Sequence, residues 1–196
     1  MDRQVKNLHT LIPLDEFKSI LGIDDRDDKL SRFCLVTSTL RIEEYCKRKL
    51  LRKKHFETIE YTGDLLLPLR EYPVNKILAV FANGEIIEPD FYNTVPDCGV
   101  TEDLSFYLSL SPALKRYRNL KTIKAIYWAG YQLCKVSADL ASACLELASW
   151  NMKRYKSNRI GMTGNVRGNG KEGEHFEMSM PENVRSLLEP YRRKTI

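Results

Sequence analysis

The stretch from Ser137 to Tyr155, SADLASACLELASWNMKRY, decides the architecture. Ser137 suits an N-cap because its hydroxyl can accept from an otherwise orphaned backbone N–H, and Asp139 in the first turn complements the helix dipole. Leu140, Cys144, Leu147, Ala148 and Tyr155 share one face at helical spacing, while Ala138, Ala141, Ser142, Ala143 and Ser149 keep most of the remainder small. A helix with that surface lets a second helix approach closely. The partner is expected over residues 29–51, where Leu30, Phe33, Cys34, Leu40 and Ile42 lie inside a broad apolar face. The predicted helical core therefore spans 14–51 and 137–155, with the helices over 29–51 and 137–155 as its two long packed members.

Shorter elements surround that pair. Pro13 suits a helix start, Leu14, Phe17, Ile20 and Leu21 recur at helical spacing, and Gly22 suits the C-cap, which predicts a helix over 14–21. The acids Asp24, Asp25, Asp27 and Asp28 suggest a calcium loop, but Lys29 and Leu35 stand where an EF-hand needs Gly and a bidentate acid. They are expected instead to cap the next helix. From Phe56 the pattern changes to strands at 56–61, 65–69, 77–81, 85–88, 105–110 and 122–128, with Asn83-Gly84 as a strong hairpin signal. These make a β-rich insertion over about 56–131. Residues 161–173, GMTGNVRGNGKEG, hold five of the ten glycines and cannot build a core, so a flexible loop is expected there. Pro181 then opens a last helix, expected over 181–192, with Val184, Leu187, Leu188 and Tyr191 on one face. The expectation is one α+β domain spanning 1–196: a mainly helical core with a β-rich insertion in the middle.

At 196 residues, with 43% hydrophobic and 29% charged side chains, the composition is that of an ordinary globular chain. No apolar run approaches the roughly 20 residues that span a bilayer, and MDRQVKNLHT lacks the apolar stretch of a signal peptide, so a cytosolic origin is expected. The five cysteines form no C-x-x-C pair, which disfavours a disulfide framework or a zinc ribbon and predicts reduced, mostly buried thiols. The net charge of +5 is uneven: −1 over 1–40, +5 over 41–54, −4 over 55–150 and +5 over 151–196. Lys47, Arg48, Lys49, Arg52, Lys53 and Lys54 would sit at the end of the second helix, where cations match the dipole. The same six residues could serve a nucleic-acid-binding module.

Catalytic patterns fail on inspection. Gly168-x-Gly170-x-x-Gly173 matches a dinucleotide fingerprint only formally, because no buried strand precedes it and no convincing helix follows. A P-loop fails because Gly170-Lys171 is followed by Glu172 and Asn165 holds the upstream glycine position. His9, His55 and His175 stand apart from any acid or Cys at ligand spacing, and nothing singles out a pair of carboxylates. No enzyme, cofactor or metal site is expected.

The order of several phrases resembles the head–tail connector (adaptor) proteins of long-tailed bacteriophages and prophages. Leu14-Asp15-Glu16-Phe17-Lys18 runs to Leu21-Gly22-Ile23-Asp24, and Ile42-Glu43-Glu44-Tyr45-Cys46-Lys47-Arg48 closes the long helix. Tyr72-Pro73-Val74 precedes a strand, and Trp128-Ala129-Gly130-Tyr131 leads into Ser137-Ala138-Asp139-Leu140. Met180-Pro181-Glu182-Asn183-Val184 and Leu187-Leu188-Glu189-Pro190-Tyr191-Arg192-Arg193 close the chain. The insertion is longer and more β-rich than in compact members of the family.

The resemblance implies a structural protein without catalytic residues. It would assemble with itself as a ring, a dodecamer in the virion, beneath the portal protein at the head–tail interface, after synthesis in the host cytoplasm. The ring would extend the channel for passing double-stranded DNA and seat a stopper or tail-completion protein; no membrane is involved. Under that implication Arg167 and Lys171 are candidates for subunit or channel contact, and Tyr191, Arg192 and Arg193 for portal docking. The face of Val184, Leu187, Leu188 and Tyr191 either enters a groove of the portal or folds back on its own domain. A conduit must let DNA slide, so the two basic patches are expected to face protein or the outer surface more than the bore.

Overall fold

The computed structural model describes residues 10–96, 105–116, 120–157 and 180–193. The chain forms two compact units, one from residues 1–47 and 136–196, the other from 48–135. The long α-helices lie in the first unit and the strands in the second.

The first unit contains α1 (Leu14–Leu21), α2 (Asp28–Cys46), α3 (Ala138–Lys156) and α4 (Glu182–Leu188). Helix α1 ends as its sequence predicts: Gly22 takes φ of 61° and returns its N–H to the Lys18 carbonyl. Ser137 caps α3 by accepting from Leu140 N at 3.4 Å. The acidic cluster behaves differently from expectation. Asp24 caps a short 3₁₀ turn over Asp25–Asp27, accepting from Arg26 N at 3.2 Å, and the N-cap residue of α2, Asp27, makes no side-chain cap. Asp25 and Asp28 pair with Lys18, whose ammonium they hold well above the usual lysine range, and Asp27 pairs with Lys156.

Helices α2 and α3 pack together, but the buried face of α2 departs from the expected apolar one. Ser31, Cys34, Leu35, Ser38, Thr39, Ile42 and Cys46 are buried, whereas Phe33 and Leu40 are exposed. The reason is polar matching across the contact. Asn151 Nδ2 donates to Ser38 Oγ at 3.0 Å, Thr39 Oγ1 lies 3.8 Å from Cys144 Sγ, and Ser31 Oγ lies 4.0 Å from Met152 Sδ. Small polar residues with partners bring two helices close where bulky ones would hold them apart. Phe33 instead meets Tyr155 edge-on, with ring centroids 5.5 Å apart.

The Cys34, Cys46 and Cys144 thiols are in no disulfide and are buried, and burial pushes Cys34 up to about 11 and Cys144 up to about 12. A thiolate is the reactive form, so these three should stay unlabelled when the native chain meets a maleimide near neutral pH and react once it is unfolded. Peptide mapping of the labelled sites checks this; rapid native labelling of Cys144 would contradict the packing.

The expected helix over 29–51 stops at Cys46. Lys47 adopts φ of 57° and returns its N–H to the Glu43 and Glu44 carbonyls, so the chain leaves the helix there. Similarly the last helix ends at Leu188, short of 192, and continues as a 3₁₀ turn over Glu189–Tyr191, where Pro190 supplies no N–H.

The strands of the second unit pair antiparallel, with one isolated parallel bridge between Leu51 and Tyr131. Its strands are β1 (Lys53–Glu60), β2 (Leu66–Pro68), β3 (Val74–Ala82), β4 (Glu85–Ile87), β5 (Tyr92–Pro96), β6 (Ser105–Leu110) and β7 (Thr122–Ala129). They form a four-stranded sheet in the order β1-β7-β3-β4 and a three-stranded sheet in the order β2-β6-β5. Leu67, Leu108 and Leu110 from one sheet, with Leu69 just after β2, meet Val80, Ile87, Ile123 and Tyr127 from the other in one core. Asn83 and Gly84 both take positive φ, 49° and 95°, and join Ala82 to Glu85 as the two-residue hairpin predicts. Asn83 Oδ1 also accepts from Lys121 N at 3.0 Å and Thr122 N at 3.3 Å, tying the turn to the start of β7. Strand β5 was not expected: it is a polar edge strand ending in Pro96, and edge strands carry weak sequence signals.

Candidate interaction surfaces

The C-terminal segment is attached to its own unit. Helix α4 packs on α3 and α2, with Val184 and Leu188 fully buried and Leu187 half-buried, so the face considered for docking is turned inward. Beyond it, Glu189 accepts from Tyr45 Oη at 2.9 Å and from Arg192 Nη1 at 3.0 Å, and these bonds hold its carboxyl below the usual glutamate range. The Arg192 guanidinium lies 5.3 Å from the Tyr45 ring centroid. Tyr191 Oη donates to Asp139 at 3.4 Å, and Arg193 N donates to the Cys46 carbonyl at 2.8 Å. Thus Arg192 is exposed, Tyr191 and Arg193 are half-buried, and all three are fastened to α2 or α3. Beside α4 an open groove of about 530 Å³ is walled by Leu21, Leu145, Trp150, Pro181 and Val184. Arg167, Lys171 and the whole 161–173 segment lie outside the described residues.

The basic run over 47–54 does not form the single helix-end patch that the sequence suggested. Arg48 is 4% exposed; its Nη1 donates to the Tyr72 carbonyl at 2.7 Å and its guanidinium stacks 3.8 Å from the Tyr72 ring centroid. Lys49 N donates to Glu71 at 2.7 Å, and Lys53 and Lys54 belong to β1. The helix ends before these residues, so they diverge along an irregular segment and a strand.

Strand β1 has inverted amphipathicity. His55, Glu57 and Ile59 form its inner, half-buried side, while Lys54, Phe56, Thr58 and Glu60 face outward. The inner Glu57 carboxylate is paired. Tyr127 Oη donates to Glu57 at 2.7 Å, Arg70 N donates to the same carboxylate at 3.0 Å, and the His55 ring stacks on Tyr127 with centroids 5.7 Å apart. Burial and the neighbouring Glu57 charge raise the Tyr127 phenol far above its usual range, so it stays a donor. Phe56 is left 67% exposed as a consequence.

Pairing extends that outer surface across the sheet. Phe56 sits opposite Ile126, which sits opposite Ala79; Lys54 sits opposite Trp128, which sits opposite Lys76. Lys124 sits opposite Phe81, which sits opposite Ile86, 66% exposed. Register shifts in β3 leave Leu78 exposed beside this row. Arg52 lies 5.2 Å from the Trp128 ring centroid and Lys54 5.1 Å from that of Phe56. Sequence reading missed this face, since its residues come from separate strands; only the alternation in 53–60 hinted at it.

Among the described residues no group of three His, Cys, Asp or Glu could hold a metal ion, and no helix is long and apolar enough to cross a membrane. No protein-family model matches the sequence. No curated protein matches it either. Solved structures do match the fold. Particle-neck chains share this architecture. A chain from the neck of an empty gene transfer agent (GTA) particle, computed with C6 symmetry, has a TM-score of 0.60 at 16% identity, covering 95% of this chain and 91% of that chain. A chain from the virion of a native GTA particle gives 0.56 at 19% identity, and one from the native neck computed with C12 symmetry gives 0.55 at 16% identity. Both of these matches also cover 95% of this chain and 91% of the other. The helical unit and the β unit are therefore both part of the shared fold.

Proposed function

We propose that this chain is a structural component of the neck of a phage-like particle, a head–tail connector that acts through surfaces and has no catalytic role. The observation that carries this reading is the end-to-end fold match, 95% of this chain against 91% of a chain from a GTA neck. The six- and twelve-fold symmetry of those necks supports assembly as a ring of copies, with a dodecamer as the expected form. In the finer reading the ring sits under the portal protein, extends the DNA channel and seats a stopper or tail-completion protein. The nucleic-acid-binding alternative relied on the 47–54 run, and the burial of Arg48 against Tyr72 weakens it.

Quantitative peptide mass spectrometry of DNA-filled particles from the source tests the proposal. A ratio near one copy per portal subunit is expected. Absence of the chain from well-formed particles carrying an intact portal would overturn it.

A further inference from the structure

We infer that the outer face of the β1-β7-β3-β4 sheet is one half of the contact between neighbouring copies, and that the outer side of α1 on the next copy is the other half. This rests on the ring reading above and adds the surfaces that would build the ring.

The sheet face is built for a protein rather than for solvent. Phe56, Leu78 and Ile86 are exposed, and Ile126, Phe81 and Trp128 are only half-buried, so apolar side chains run across three strands or more. Around them stand Arg52, Lys54, Lys76 and Lys124, with Glu60 at the far corner opposite Thr122 and Glu85 and Glu88 exposed on either side of Ile86 and Ile87 at the β4 edge. Lys76 and Lys124 have no ion-pair partner among the described residues. The inverted strand matters here: His55 and Glu57 occupy the inner side of β1 while Phe56 is turned out. That arrangement sacrifices inward burial of an aromatic ring, which a covering partner would restore.

The occupant follows from charge and from what the apolar groups are. A nucleic acid would use free aromatic faces for stacking. Here cations already lie over Phe56 and Trp128, and Leu78, Ile86 and Ile126 are aliphatic groups with no role in base stacking. A ring needs a heterologous contact, in which one patch of a copy meets a different, complementary patch of the next. The outer side of α1 meets that requirement. Asp15 and Glu16 are exposed on α1, as is Ile20 at 55% exposure, whereas Leu21 turns to the groove beside α4 and Asp24 pairs with Arg26. Asp15 and Glu16 have no ion-pair partner among the described residues. Two exposed acids on the helix that also exposes Ile20 complement the cations around the apolar sheet face.

A charge-reversal exchange tests this on the full chain. Lys54→Glu with Lys124→Glu changes only exposed groups of the sheet face, and Asp15→Lys with Glu16→Lys changes only the α1 side. Circular dichroism verifies that both variants fold. By sedimentation velocity and native mass spectrometry the wild type should self-associate, each variant alone should associate at least about tenfold more weakly, and a mixture of the two should recover hetero-pairs. A monomeric wild type at every concentration reached, a variant that associates like wild type, or a mixture without recovery would each overturn the inference. So would binding of a DNA oligonucleotide that the sheet variant loses while its self-association is unchanged. The ring reading fails separately, by absence of the chain from particles; presence there with unchanged association of the variants removes only this interface.

Discussion

Replacing Gly130 with Ala should destabilise the β unit by about 3–5 kcal/mol, the largest effect expected of a glycine-to-alanine change among the described residues. Gly130 has φ of 102°, a conformation L side chains rarely adopt. A Cβ there would also lie 2.6 Å from the Leu51 carbonyl carbon and oxygen and 2.8 Å from Arg52 N. These are backbone atoms held in place on both sides. Tyr131 N donates to the Leu50 carbonyl at 2.7 Å, Arg52 N to the Tyr131 carbonyl at 2.9 Å, and Gly130 N to the Pro73 carbonyl at 2.9 Å. The clash therefore strikes the junction where residues 50–52, 73 and 130–131 are stitched together, and no flexible side chain can yield.

Gly84→Ala is the internal control. Gly84 also has positive φ, 95°, but open space where its Cβ would stand. It carries the conformational penalty alone, about 1–2 kcal/mol. Hydrogen exchange at core amides of β3 and β7, compared between the two variants, separates strain from clash. Equal losses in both would show that the close approach at Gly130 relaxes, and would count against the packed junction. The same geometry explains why Trp128-Ala129-Gly130-Tyr131 forms a recognisable phrase in the sequence: alternation ends on Ala129, and the next position admits glycine alone.

Features fixed by neighbouring residues were legible in the sequence. The Gly22 cap, the Ser137 cap and the Asn83-Gly84 hairpin depend on backbone conformations or hydrogen bonds within four residues. Features fixed by distant partners were not. Ser31, Ser38 and Thr39 look like surface residues until Met152, Asn151 and Cys144 are placed against them, so hydrophobic periodicity chose Phe33 and Leu40 in error. The end of α2 was hidden because Lys47 is an unusual residue for positive φ, and because Arg48 is drawn inward by Tyr72, 24 residues on. The sheet face is the extreme case. Its members lie at 52–56, 76–86 and 124–128, and they become one surface only through strand pairing. Acidic α1, by contrast, was visible as a helix from the outset, but its outward side had no meaning without a complementary patch.

Leu188→Ala should cost about 2–5 kcal/mol in the free chain, the usual price of emptying a fully buried leucine site. The residue is wholly buried where α4 meets α3 and α2, and the turn that follows is pinned through Glu189 to Tyr45 and through Arg193 N to the Cys46 carbonyl. Arg192→Ala removes an exposed ion pair to Glu189 and the contact with the Tyr45 ring, and should cost no more than about 1 kcal/mol. Leu187→Ala should fall between them, since Leu187 is half-buried. Urea denaturation followed by the helical signal gives all three values. This ordering bears directly on how the C-terminus could serve a portal. If the leucine face docked into a partner and lay loose beforehand, Leu188→Ala would be nearly silent in the free chain and severe in portal binding. If the helix belongs to its own core, the cost appears in the free chain, and any partner must read the outer residues, Tyr191 and Arg192 foremost. A loss below about 0.5 kcal/mol for Leu188→Ala would sink the folded-back arrangement and return the leucine face to the list of docking surfaces.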